Sequence, residues 1–199
     1  MLPGMNNSLP LRKTQERFRF LTIFKRIPPW NQIAPVFAVI VMMIYAWTVT
    51  WFLWKLPSLV YYMNAGEIAA MFTYLMATNL LESILIMCGP VLLSMILPAK
   101  WFQQAFVARA AALVMPGLGY LMVIANHFQF RDEYPAVFFK KWSLALAFST
   151  LFLFVFLAEK VTFLRKTIEF ITDRAVIFLY VFIPISLLSL VAVVFRLAF

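Results

Sequence analysis

The chain has 199 residues, 64% of them hydrophobic and 13% charged, with a mean hydropathy of +0.90. A soluble domain is about 25% charged, so no water-soluble fold hides this much apolar surface, and the apolar runs reach the ~20 residues a bilayer requires. Seventeen Lys and Arg against eight Asp and Glu give a net charge of +9, yet no basic and aromatic platform lies outside the apolar runs, which argues against nucleic acid and for anionic headgroups.

Cys88 is the one cysteine and His127 the one histidine. That excludes an intrachain disulfide or CxxC redox pair and argues against an all-protein zinc or haem site. No metal and no cofactor is expected.

Residues 1–33 read as a cytoplasmic, basic, amphipathic N-terminal segment, and 34–199 as a transmembrane domain of about five helices. No signal peptide is expected, because the first apolar run starts only after this segment. The Asn6-Asn7-Ser8 sequon is expected to stay unmodified in the cytoplasm. From 14 to 27, Arg17, Arg19, Lys25 and Arg26 alternate with Phe18, Phe20, Leu21, Phe24 and Ile27, ahead of Pro28-Pro29. This pattern predicts a helix lying on the membrane surface against anionic headgroups.

The spans are predicted at about 35–54, 68–97, 106–126, 142–158 and 175–195. Gly89 and Pro90 predict a break in the second span, and Pro116, Gly117 and Gly119 one in the third; Pro184 falls within the fifth. Residues 159–174 place Val161, Leu164, Ile168 and Ile171 at three- and four-residue steps. They predict an amphipathic surface helix or a cytoplasmic extension of the fourth span.

With the N-terminus inside, Arg12, Lys13, Arg17, Arg19, Lys25, Arg26, Lys100, Lys160, Arg165, Lys166 and Arg174 are cytoplasmic. They outnumber Lys55, Arg131, Lys140, Lys141 and Arg196 by about two to one, so the C-terminus is expected on the opposite side. Trp30 and Trp101 fall at the inner interface, and Trp54, Tyr61, Tyr62, Tyr134 and Trp142 at the outer one.

Glu82 is the residue hardest to reconcile with a bilayer. A charge at the membrane centre costs about 2.5–3.5 kcal/mol on insertion scales. Thr78, Asn79, Glu82 and Ser83 form a polar stripe, since residues three and four apart are helix neighbours. The short loop 98–104 predicts that the second and third spans are antiparallel neighbours, which brings Glu82 towards Arg109. That pair reads as a structural ion pair or as part of an ion or proton pathway. The run from Met115 to Tyr120 loosens its helix by losing a backbone donor at Pro116. Ala105, Ala108 and Ala112 offer a small-residue packing surface beside it.

Trp47, Trp51 and Trp54 share one face, with Tyr45 nearby. They predict an outer-leaflet anchor or a protein contact rather than a wall for a quinone or lipid tail. The segment 126–135 sets His127 near Asp132 and Glu133 and reads as a solvated loop. No nucleophile elbow, HExxH, phosphate loop or Asp-rich motif occurs, so enzymatic chemistry has no visible carrier. The leading expectation is a non-catalytic membrane subunit packed against other membrane proteins. A small ion- or proton-coupled transporter using Glu82 and the broken third helix is the alternative, and an interfacial lipid-handling enzyme a second one.

Overall fold

A computed structural model describes residues 27–98, 102, 105–130 and 141–198. The surface helix expected at 14–27 lies outside the described residues, apart from Ile27; of the loop expected at 126–135, residues 126–130 with His127 instead continue the third helix, and 131–135 with Asp132 and Glu133 lie outside the described residues. The described chain forms five α-helices: α1 Trp30–Tyr62, α2 Ala65–Ile96, α3 Phe106–Phe130, α4 Lys141–Lys160 and α5 Thr162–Ala198. The protein is an all-α, multi-pass integral membrane protein. Four helices (α1, α2, α3 and α5) are long and apolar enough to cross a membrane. The fourth in sequence, α4, has 20 residues around the apolar stretch Ser143–Ala158. At 1.5 Å per residue it is about 30 Å long, the thickness of the hydrocarbon core.

Several helices are longer than their apolar runs. Pro29 supplies the first turn of α1 with an acceptor, as Gln32 N and Ile33 N donate to its carbonyl at 2.9 and 3.2 Å. α1 then passes through Pro35 and Pro57 and ends where Met63 N donates to Leu59 O. The next residue opens α2. Glu67 N donates to Asn64 Oδ1 at 3.0 Å, and Asn64 N donates to Glu67 Oε2 at 2.9 Å. This reciprocal cap satisfies two of the free amides of a helix start. It sets the start of α2 three residues ahead of the hydropathy boundary at Ile68 and turns the chain back in two residues.

Three sequence expectations are corrected here. Residues 162–174 are neither a separate surface helix nor an extension of the fourth span. They are the first turns of α5, which continues unbroken past Arg174 and Ala175 and through Pro184. The corner comes earlier, at Val161, whose N–H donates to Leu157 O while its carbonyl accepts from Arg165 N. The breaks predicted at Gly89-Pro90 and at Pro116, Gly117 and Gly119 do not interrupt α2 or α3 either. Proline at these sites removes one donor each, and the flanking turns carry the helix through. Finally, α2 and α3 scarcely touch. A short loop made them candidates for neighbours, but α1 takes the place beside each of them.

α1 is the organising helix. It packs along α2, α3 and α5, while α3 pairs with α4 and α5 reaches all four others. Val36, Ile40, Ile44 and Tyr45 of α1 meet Met76 and Met87 of α2 and Ala110 and Val114 of α3 in the largest core cluster. Gln32, Ala105, Ala108, Arg165 and Glu169 line one small open pocket of about 150 Å3, so the starts of α1, α3 and α5 lie at the same end. Contact of Ala38 and Val39 with Ala175, further along, keeps α1 and α5 parallel. Without a hydrophobic drive inside lipid, such bundles are held by close packing and interhelical hydrogen bonds. Both are present. Ala111 and Ala112 are fully buried and seat Ala158 and Ile168 directly against α3, and the polar contacts lie on the α2 side.

Candidate functional site

Helix geometry divides the polar stripe of α2. Successive residues turn by about 100°, so Asn79 and Ser83 take one face and Thr78 and Glu82 the adjoining one. Packing against α1 and α5 decides which pair goes inside. Asn79, 3% exposed, and Ser83 are buried, whereas Thr78 and Glu82 are exposed on the outside of the bundle.

The inner pair belongs to a hydrogen-bonded seam. Thr48 Oγ1 donates to Asn79 Oδ1 at 3.1 Å, and Ser83 Oγ donates to the Asn79 carbonyl at 2.7 Å. Tyr45, fully buried, lies 2.6 Å from Ser186 Oγ of α5, and its hydroxyl also reaches the Met76 carbonyl at 3.4 Å. The Tyr45 ring packs on Phe182 at 4.7 Å between centroids. These bonds tie α1, α2 and α5 at one level. Asn79 Nδ2 is the one amide group of the seam left without a hydrogen bond. Tyr45, Thr48 and Ser186 do not read as a site from sequence. Each is isolated among apolar residues, and only the helix rotations bring them together.

The outer pair behaves differently. Thr78 Oγ1 donates to the Tyr74 carbonyl at 2.9 Å, one turn back. Thr50, Thr73 and Thr150 use the same local solution at other exposed positions, which spares a hydroxyl from lipid. A carboxylate has no such recourse, because it accepts only and the helix amides are already used. Glu82 enters no hydrogen bond or ion pair among the described residues. It lies fifteen residues from Leu97, about 22 Å along the helix, which is the middle of α2. Around it stand Leu81, Leu85 and Gly89, all exposed.

The expected approach of Glu82 to Arg109 is therefore absent. Arg109 lies at the start of α3 and is 6% exposed, and α1 separates its helix from α2. Beside it, Arg165 Nε donates to Glu169 Oε1 at 2.8 Å across the mouth of the small pocket. This pair neutralises the one cation lining that pocket.

Of the residues expected to break helices, Gly89, Gly117 and Gly119 have nothing within 4 Å of the position a Cβ would take. No neighbour presses on these backbones, so close helix approach is not what requires glycine at 117 or 119. On α1, Trp47 and Trp51 meet edge to face at 5.7 Å and Trp51 and Trp54 at 5.2 Å, with Lys55 Nζ 5.9 Å from the Trp51 ring centre. Consecutive indoles contact each other, leaving no slot for a ligand ring between them. Lys55 lies seven residues before the end of α1, and a cation beside aromatic rings is an arrangement suited to an interfacial anchor.

Compared with known proteins, the chain matches no family model, no curated protein and no solved structure.

Proposed function

We propose that this protein is a non-catalytic subunit of a larger membrane complex, and that the outer face of α2 is where it is covered by another chain. The observation that carries this reading is Glu82: an acid midway along the apolar helix α2, exposed on the bundle and with no partner among the described residues. Exposed intramembrane acids are costly in lipid and are kept where another group meets them. The threonine hydroxyls of α2, at Thr73 and Thr78, are already satisfied by their own helix. The acid has no such bond among the described residues.

In this reading the N-terminus is cytoplasmic and the C-terminus lies on the opposite side. The support is the basic bias at the end where α1, α3 and α5 begin, with Arg165, Lys166 and Arg174 there and Arg12 to Arg26 preceding α1 in sequence. The transport alternative asks for Glu82 and a broken α3 to line one path. It is the weaker reading, since Glu82 faces outward and α3 is a continuous helix.

Gentle extraction from the native membrane tests the subunit reading. The wild-type chain is expected to run with a stoichiometric companion, and Glu82→Leu to run alone with its thermal melt intact. A wild-type chain that purifies as a lone species of the same size as Glu82→Leu contradicts it.

A further inference from the structure

Resting on the subunit reading, we propose that the chain covering α2 is a different protein whose transmembrane helix presents a lysine or arginine at the depth of Glu82. The argument runs through what each possible neighbour brings to that depth. Lipid headgroups sit about 15 Å from the membrane centre, half the hydrocarbon thickness, too far to meet a side chain near the middle of α2.

A second copy of this chain fares no better. Two copies inserted in the same direction and closed by symmetry are related by an axis along the membrane normal. Each residue then faces residues of its own depth. At the level of Glu82 the outer face of α2 offers Leu81, Leu85, Gly89 and the same acid again. No cation is among them. Among the described residues, a cation that does reach this face is Arg196 of α5, whose guanidinium sits 5.8 Å from the Tyr74 ring centre. Tyr74 lies eight residues before Glu82, about 12 Å along the helix, and a rotation about the membrane normal leaves Arg196 at that level. Self-association would set two like groups against each other.

A basic side chain from another protein meets the carboxylate directly and removes both uncompensated charges at once. The approach is sterically open. Gly89 is two turns along the same face, exposed and with no atom within 4 Å of its missing Cβ. Small residues at such positions let helices come close enough for side chains to bond across them. Tyr74 and Thr78 extend the face outward, with the Thr78 hydroxyl already committed to its own helix. That leaves the acid as the group that selects the partner.

The test uses model partners. The full chain is reconstituted in phosphatidylcholine bilayers with polyleucine transmembrane peptides that carry Lys, Asn, Glu or Leu at the centre, and association is read by energy transfer between labels. The Lys peptide is expected to bind about tenfold tighter than the Leu peptide, and Glu82→Leu is expected to erase that preference. Equal binding of the Lys and Leu peptides overturns the proposal, as does a Lys preference that survives Glu82→Leu. Binding led by the Asn or Glu peptide overturns the cationic partner while leaving a docking face on α2, so the subunit reading stands. Energy transfer between two labelled copies of the chain, lost on Glu82→Leu, overturns it in favour of a second copy.

Discussion

Two adjoining faces of one helix, two turns long, separate what holds this bundle together from what it leaves exposed. On the inner face of α2, Asn79 and Ser83 are buried and bonded, within a seam that joins Thr48, Tyr45 and Ser186. On the outer face, Thr78 bonds its own helix and Glu82 bonds nothing among the described residues. Both pairs are spaced four apart and both are polar. The difference lies in rotation about the helix axis, which packing against α1 and α5 sets. Polar groups on the inner face serve the fold. The acid on the outer face makes no bond within it among the described residues, and this is why we read it as pointing to something outside the chain.

The inner face is where the largest effect is expected. Tyr45→Ala removes a fully buried ring packed on Phe182, and is expected to cost about 3–5 kcal/mol, the usual range for an aromatic truncated in a core. Reversible unfolding in mixed micelles measures it. A cost under about 1 kcal/mol would mean that α1, α2 and α5 are not joined through this level.

Glu82→Leu sharpens the comparison from the other face. Insertion of α2 as an isolated segment is expected to become easier by about 3 kcal/mol, with no loss of stability in the purified protein. A substantial destabilisation would show that the acid has an internal partner and that the two faces are not distinct.

Removing single hydrogen bonds should matter less. Tyr45→Phe and Thr48→Val are each expected to cost about 0.6 kcal/mol and no more than about 1.7 kcal/mol, the average and the maximum for interhelical hydrogen bonds in membranes. Thr78→Val, whose bond is local, should cost less than either by the same unfolding assay. Equal losses at Thr48 and Thr78 would erase the contrast.

The smallest effect is expected on α3. Gly117→Ala and Gly119→Ala meet no neighbour and are expected to stabilise by up to about 1 kcal/mol each, as glycine gives way to a better helix former. Loss of stability at either would mean that the helix uses glycine for a purpose other than packing.

Much of the fold is legible in the sequence, and the failures share one cause. Apolar length marks where the helices are, because lipid demands it. It does not say where a helix stops when nothing breaks it. Arg174 and Ala175 carry no cap and no proline, so α5 runs from charged turns straight into the apolar ones. Asn64 and Glu67, by contrast, mark the start of α2 with a cap that hydropathy overlooks. Loop length also misled: residues 98–104 are few, yet α1 lies between the helices they join.

The site shows the limit most clearly. Thr78, Asn79, Glu82 and Ser83 are conspicuous as a polar group in an apolar run, but two rotations of α2 satisfy the sequence equally well. Only the seam partners Tyr45, Thr48 and Ser186, from two other helices, select one. Glu82 was legible as an anomaly, while its direction was not.

The most direct test compares two positions of equal exposure inside the membrane. A photo-cross-linking residue is placed at Leu85, 71% exposed beside Glu82, and separately at Phe148 of α4, 69% exposed, in the full chain within its native membrane. A discrete protein adduct is expected at position 85 and lipid adducts at position 148. Lipid adducts alone at both positions would contradict the account, because the face carrying Glu82 would then be covered by no other chain.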